Sequence, residues 1–211
     1  RLKNIFGEEG YEIVDEYKGA KLVGKSYKPL FDYYAKDESL KYRENGWKIY
    51  HADFVTTDMG TGIAHEAPAF GEDDMQLGKA NNLPWVQHVN MDGTMKPEVT
   101  DFAGRQVKPT ENPQEMDVDI IKYLAKQGTL FAKEKYEHSY PHCWRCDTPL
   151  LNYATSSWFV RVTEIKPEML ELAKGIHWSP THIKEGRWGK WLEGARDWSI
   201  SRQRYWASVM P

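Results

Sequence analysis

The stretch from Gly60 to Asp74 reads GTGIAHEAPAFGEDD and brings a histidine, a Pro/Gly turn and a run of acids within fifteen positions. If Gly62 to Ala67 is a strand, Ile63, His65 and Ala67 share one face, Ala64 and Glu66 take the other, and His65 stands at the strand's end. Pro68 and Gly71 then force a turn. Asp73 and Asp74 fall in the first turn of a following helix, where unpaired backbone N–H groups help keep a carboxylate ionised. An ionised aspartate near a histidine could hold a cationic group. A histidine at a strand end and an aspartate in a first helical turn are nevertheless each more often structural than functional, and spacing alone does not decide between the two.

A second group is Cys143-Trp144-Arg145-Cys146. Thiolates at C-x-x-C spacing can grip one Zn²⁺, but a structural zinc site needs four ligands, so Cys143 and Cys146 form half a site. His138 and His142 are near enough in sequence to complete it, although His142 adjoins Cys143, which restricts that geometry. The residues leave zinc and an unmetallated pair equally open. A redox role is disfavoured because no βαβ pattern surrounds the pair. Farther on, Gly186 to Trp206 interleaves Arg and Lys with Trp188, Trp191, Trp198, Tyr205 and Trp206, a mixture that can stack on bases and neutralise phosphates, or equally form an interface between domains.

The elements that must position these groups are read from periodicity. Tyr11 to Tyr17, Trp47 to Val55, Gly62 to Ala67 and Pro84 to Val89 alternate apolar and polar residues as half-buried strands do, and Asp92-Gly93 is a tight-turn signal. Antiparallel pairing into a small barrel is the natural expectation. Gly71 to Ala80 predicts a short helix with its acids at the N-terminus. A second helix is predicted with Asn112 as N-cap, Pro113 at N1 and Glu115 at N3, its apolar face formed by Met116, Ile120, Ile121 and Leu124, and Gly128 ending it. Composition turns aromatic and basic after Thr129, which sets a boundary near residue 135. The expected fold class is α+β: a mostly antiparallel, barrel-like domain with short helices over 1–135, then a C-x-x-C segment and connecting stalk over 136–211.

Composition limits the function. With 211 residues, 40% of them hydrophobic, the chain can bury one large domain or a domain with a smaller appendage. The 28 Lys and Arg against 31 Asp and Glu leave a net charge of -3, so any contact with RNA must be local. No run approaches the roughly 18 apolar residues of a membrane span, no signal peptide is visible, and two cysteines suit a reducing compartment; the expectation is a cytoplasmic protein with no membrane partner. The abrupt start at Arg1 and the end at Pro211 read as a piece of something longer.

The run GTGIAHEAPAFGEDD resembles, nearly letter for letter, the motif of isoleucyl-tRNA synthetase editing domains. HADFVTTDMGTG before it, YEHSYPHCWRCDTPL at 136–150, SSWFVRV at 156–162 and KEGRWGKWLEGARDWSISRQRYW at 184–206 extend the likeness over essentially the whole chain. The related valyl and leucyl enzymes carry other residues where His65 stands, and Phe70-Gly71-Glu72 also argues against a valyl-type domain that clears threonine.

This resemblance implies hydrolysis of the ester that joins valine wrongly to isoleucine tRNA. It makes Asp74 the carboxylate for the amino acid's α-ammonium and His65 the wall that admits valine and crowds isoleucine. His65 and Asp74 are thus the candidate catalytic residues, and Thr61, Gly62, His65, Asp73 and Asp74 the candidate substrate-binding ones. One methylene in an apolar pocket discriminates by only about 1–3 kcal/mol, which is why a second, smaller site is needed. No Ser/His/Asp triad is visible; backbone N–H groups near Gly60 to Gly62 could help position the substrate, and anchoring rather than general-base chemistry is the role given to the side chains.

The implied partners are the acceptor end of tRNA(Ile) and the remainder of a synthetase chain that uses ATP and Mg²⁺, whose ligation motifs are not among these residues. The resemblance also implies a second C-x-x-C upstream to complete the zinc site, a basic tail that leads back to the catalytic domain, with tRNA contact the lesser reading, and a threonine-rich peptide upstream that lines the same pocket. That peptide does not occur in these residues, so the chain alone is expected to hydrolyse Val-tRNA weakly or not at all. Ala207-Ser208-Val209-Met210-Pro211 departs from the Gly-x-Pro-φ-Pro pattern usual after RYW, where glycine permits angles that alanine resists. The rival reading is a non-catalytic, zinc-stabilised RNA-binding or docking module.

Overall fold

The computed structural model describes residues 2–7, 10–57, 61–135 and 137–202. They fall into two compact units, Arg1–Ala154 and Thr155–Pro211. The change of composition at residue 135 and this division in packing are separate features, because 137–154 packs with the first unit.

The first unit contains helices α1 (Leu2–Phe6), α2 (Glu72–Ala80) and α3 (Glu115–Lys126), joined by turns and long extended segments. Its core is Val89, Met95, Val99, Phe102 and Met116, with Phe31, Tyr33, Phe70, Ile120, Tyr123 and Tyr153 packed around it. Aromatic edges and faces close the cluster: Phe31 stacks on Tyr123 at 5.6 Å and Phe102 meets Tyr123 edge-on at 5.6 Å. Two tyrosine hydroxyls, of Tyr33 and Tyr123, converge on the Asp101 carboxylate at 2.5 and 3.2 Å, which satisfies the polar rim of an otherwise apolar core.

Helix α3 has the apolar spacing expected of it, and Met116 is its buried residue. Its start differs from expectation. The N-cap is Gln114, with no side-chain cap, and Asn112 contributes its carbonyl to the Glu115 N–H at 3.0 Å. Glu115 is therefore the first helical residue rather than the third, out of capping-box position, and its side chain pairs with Arg105 at 3.3 Å, which also holds Asp119 at 2.7 Å. At the far end Gly128 adopts φ +69, the left-handed geometry that ends a helix.

The expected barrel is replaced by a different arrangement. Among the described residues the one sheet is two-stranded and antiparallel, β1 (Phe159–Val160) with β2 (Trp198–Ser199), and it belongs to the second unit. Residues 11–17 and 62–67 join no ladder, and 47–55 and 84–89 keep only single bridges, Ser26 with Lys48 and Val89 with Met95. The physical reason is that alternation selects a face but supplies no partner for the backbone; Val14, 92% exposed, shows a segment with nothing to pair against. The Asp92-Gly93 turn does form, with Gly93 at φ +82 and its N–H donating to the Asn90 carbonyl at 3.0 Å.

In the second unit α4 (Val162–Lys174) and α5 (Gly189–Glu193) pack on each other, and Ala173 and Leu192 are their buried residues. Asp197, from the loop before β2, accepts from both the N–H and the hydroxyl of Thr163 at 3.0 and 2.7 Å and so caps α4 from a distance. Trp178, Trp188 and Trp191 form a chain of tilted rings 5.4 and 5.2 Å apart. Two of the aromatic tail residues, Trp188 and Trp191, are thereby used for packing within the unit itself. Among the described residues no helix is long and apolar enough to cross a membrane.

Met116 is 1% exposed at the centre of the first unit. Met116→Ala should lower stability by about 2–5 kcal/mol in chemical denaturation, while Val118→Ala on the outer face of the same helix should stay within about 0.5 kcal/mol.

Candidate functional site

Gly71 is the N-cap of helix α2, and Glu72, Asp73 and Asp74 occupy its first turn, where the helix dipole and unpaired N–H groups favour negative charge. The Asp74 side chain turns back: its Oδ2 accepts a hydrogen bond from the Ala67 N–H at 2.8 Å. Ala67 also accepts from Phe70 N–H at 2.8 Å, so the segment Ala67 to Phe70 is a closed turn tied to the helix that follows it. Two glycines make this approach feasible. A Cβ at Gly71 would lie 2.8 Å from the Asp74 carboxyl carbon, and one at Gly78 would lie 3.0 Å from Pro68. Fully buried Ala69 pins the turn from beneath, and its carbonyl accepts from Ala154 N–H at 3.0 Å.

Glu66 lies against Asp74. Burial, then the hydrogen bond and charge of Asp74, then the charge of Asp73, push its carboxyl up to about 7 from an ordinary 4.5. Its Oε2 is enclosed and has no hydrogen-bond partner while Glu66 is an acceptor only. Two neighbouring carboxyls ionise together only at a high electrostatic cost, and a proton held by Glu66 converts it from acceptor to donor toward Asp74.

His65 is exposed and has its electrostatic neighbour in His88. His88 is half-buried against the Phe70 ring at 4.7 Å; burial, then the positive charge of His65 and Lys96, holds it below the usual imidazole range. Phe70 in turn meets Tyr153, whose hydroxyl donates to the Val89 carbonyl at 3.0 Å, which links the turn to the core.

Of the residues expected at the site, Asp73 and Asp74 share the first turn of α2 and Asp74 is fixed there. His65 sits one residue from Glu66 and faces His88. Thr61 and Gly62 form their own local turn, in which the Thr61 hydroxyl donates to the Ile63 carbonyl at 3.2 Å and Gly62 takes φ +75. Gly60, expected to offer a backbone N–H, lies outside the described residues, as do Tyr205, Trp206 and the 207–211 junction. Two cavities, of about 250 and about 420 Å³, are lined by neither His65 nor Asp74; the smaller runs between Pro68, Met75, Gly78, Leu83, Trp85 and Tyr42.

Glu66 and His88 escaped the sequence reading. Strict alternation puts Glu66 on the face away from His65 and assigns it nothing. A usable signal was the crowding of carboxylates at 66, 72, 73 and 74 across one Pro/Gly turn, which brings the first acid onto the helix start.

Cys143 and Cys146 lie on a knuckle turn in which Cys143 N–H donates to the Thr148 carbonyl and Asp147 N–H to the Cys143 carbonyl, each at 2.8 Å. The Cys146 thiol lies 3.2 Å from the Thr148 hydroxyl. Among the described residues no third His, Cys, Asp or Glu joins the pair in a metal-sized group. His138 and His142 turn their Nδ1 atoms toward the backbone carbonyls of Ser139 and Tyr140, at 2.9 and 3.0 Å, rather than toward the thiols. The donor set present is therefore two thiols, too few for a structural zinc.

Two outcomes follow from the turn. Glu66 carries a raised carboxyl in the folded state, so its contribution to stability is complete below pH about 4.5 and is lost as pH rises toward about 7; Glu66→Gln should remove that decline from denaturation midpoints measured across this window. Gly71→Ala should displace the Asp74 carboxylate and speed amide hydrogen exchange at Ala67, whereas unchanged exchange would mean the side chain is held by other contacts.

The sequence profile described as tRNA synthetases class I (I, L, M and V) matches residues 11–211. An isoleucine–tRNA ligase of Clostridium acetobutylicum is 46% identical over 204 residues, covering 97% of this chain and 19% of the relative. Those of Treponema denticola and Bdellovibrio bacteriovorus are 46% and 45% identical over all of this chain, and it covers 20% and 19% of them. The chain thus spans about a fifth of the length of these relatives. With the profile matched from Tyr11 onward, through the Ala67–Asp74 turn and both compact units, the chain belongs to the class I tRNA synthetase family of the isoleucine, leucine, methionine and valine group.

Proposed function

We propose that this chain is the editing portion of an isoleucine–tRNA ligase and that it takes part in hydrolysing valine wrongly esterified to isoleucine tRNA. The observation that supports this most directly is the carboxylate of Asp74, held at the N-terminus of α2 by the Ala67 N–H within the GTGIAHEAPAFGEDD run. Its likeness over the full chain to isoleucine–tRNA ligases selects the isoleucine branch.

In this reading Asp74 receives the α-ammonium of the misattached amino acid. One oxygen is already engaged by Ala67, which fixes the carboxyl plane, and the other is left to meet a cation by a charge-assisted hydrogen bond. His65, exposed beside that turn, limits the side chain that fits. Valine passes and the additional methylene of isoleucine is crowded, a discrimination that needs only steric contact. Ester hydrolysis further requires a positioned water and donors for the oxyanion. Backbone N–H groups of the Thr61–Gly62 turn are the donors assigned that task, with Asp73 adding to the negative field that attracts the ammonium.

The partners are the aminoacylated acceptor end of tRNA(Ile) and the remaining part of the synthetase, where ATP and Mg²⁺ serve ligation. The second unit connects the editing portion to that catalytic part. Cys143 and Cys146 supply two of the ligands of a zinc site whose other ligands come from elsewhere in the parent protein.

Asp74→Ala in the ligase carrying this sequence should slow hydrolysis of preformed Val-tRNA on the order of 10- to 100-fold, the loss expected for a charge-assisted bond, and let Val-tRNA accumulate during aminoacylation. Isoleucine attachment should be unaffected. His65→Ala should instead permit hydrolysis of Ile-tRNA. Unchanged deacylation in both variants would reject the reading.

A further inference from the structure

Glu66 has no assigned part in the reaction proposed above, yet it neighbours the Asp74 carboxylate and has an enclosed oxygen. Its Oε2 is shut off from solvent and meets no donor, and its carboxyl faces Asp74, whose Oδ2 is already occupied by the Ala67 N–H at 2.8 Å. An ionised carboxylate beside another carries an electrostatic cost, and Oε2 meets no donor that offsets it. A protonated Glu66 removes that cost, because its O–H can donate to Asp74.

We propose that Glu66 is a positioning residue of the ammonium subsite: in the empty site it shares one proton with Asp74, and an arriving ammonium displaces that proton, so that the cation meets two carboxylates instead of one. This inference rests on the assignment of Asp74 as the ammonium anchor. The proton leaves Glu66 for solvent as the cation enters, and the charge of the site passes from -1 to -2 only when a positive charge is there to balance it. The empty site thereby avoids a doubly charged pair with one oxygen enclosed, and the occupied site gains a second acceptor.

The surroundings favour this arrangement. Asp74 and Asp73 act on Glu66 from α2, and both are negative, which holds the proton on when no cation is bound. No basic side chain of the described residues is among the groups that act on Glu66, whereas His65 and Lys96 act on His88 instead. Gly71 lets the carboxyls approach, since any Cβ there would strike Asp74 at 2.8 Å. Coupling of this kind makes amine binding dependent on pH near neutrality, a range in which a lone aspartate would stay ionised throughout.

The test is a pH titration by NMR of this chain carrying ¹³C in its Glu and Asp side-chain carboxyls, with Glu66→Gln and Asp74→Asn used for assignment. It is run alone, with L-valinol as an ammonium bearing valine's side chain, and with 3-methylbutan-1-ol as the same skeleton without the amine. The expected result is a Glu66 midpoint at about 7 in the free protein, falling toward 4.5 with valinol and staying in place with the neutral alcohol. Asp74→Asn should return the free midpoint toward 4.5 by removing the charged partner. A Glu66 that titrates with the ordinary carboxylates would overturn the shared proton. If valinol moves the Asp74 resonance and leaves the Glu66 midpoint at about 7, Asp74 binds ammonium alone: the inference falls and the proposed function stands. If valinol moves neither, these carboxyls do not bind an ammonium in this chain and the inference falls, while the proposed function is decided separately by deacylation in the Asp74→Ala ligase.

Discussion

The hydrogen bond from Ala67 N–H to Asp74 Oδ2 joins two parts of the chain that would otherwise be independent: the extended approach of residues 63–66 and the first turn of α2. A carboxylate at a helix start is common. One whose plane is fixed by a donor from the preceding turn can present its remaining oxygen in a set direction. The fixation depends on backbone geometry more than on bulk, since Gly71 must lack a side chain, Gly78 must let Pro68 lie against the helix, and Ala69 must be small enough to vanish into the core. Each of these residues is explained by the same constraint, that a turn and a helix approach closely enough for a side chain to reach back.

Charge accumulates at that point for the same reason. The turn brings Glu66 onto the helix start, and three more acids follow in the first turn. The helix dipole offsets part of their repulsion, and the rest appears in Glu66, which is held toward its protonated form by burial and by Asp74. A site built this way is prepared for a cation. The His65–His88 pair differs in character: burial, with His88 packed against Phe70, favours a neutral ring at His88.

Much of this was legible in the residues, for definable reasons. Helix α2 showed itself through acids that suit an N-terminus, and α3 through the 3.6-residue spacing of Met116, Ile120 and Leu124 and through Gly128, because these signals are local. The barrel was not legible. Alternation in 11–17 or 47–55 states which side chains would be buried if a neighbour paired, and pairing is decided by distant segments. Glu66 was missed by the same logic, since an assumed strand assigned it to the far face, whereas the unpaired segment turns it onto Asp74. The N-cap of α3 lies at Gln114, two residues beyond the expected Asn112, so Glu115 opens the helix and its carboxylate pairs with Arg105 instead of closing a capping box.

The central claim is that Asp74 is an ammonium anchor. A structure of the protein with a non-hydrolysable valyl-adenosine analogue tests it most directly: the account predicts the valyl ammonium within hydrogen-bond distance of the free Asp74 oxygen and the isopropyl group against His65. An analogue seated with its ammonium on other groups, the Asp74 carboxylate still closed against Glu66, would contradict it.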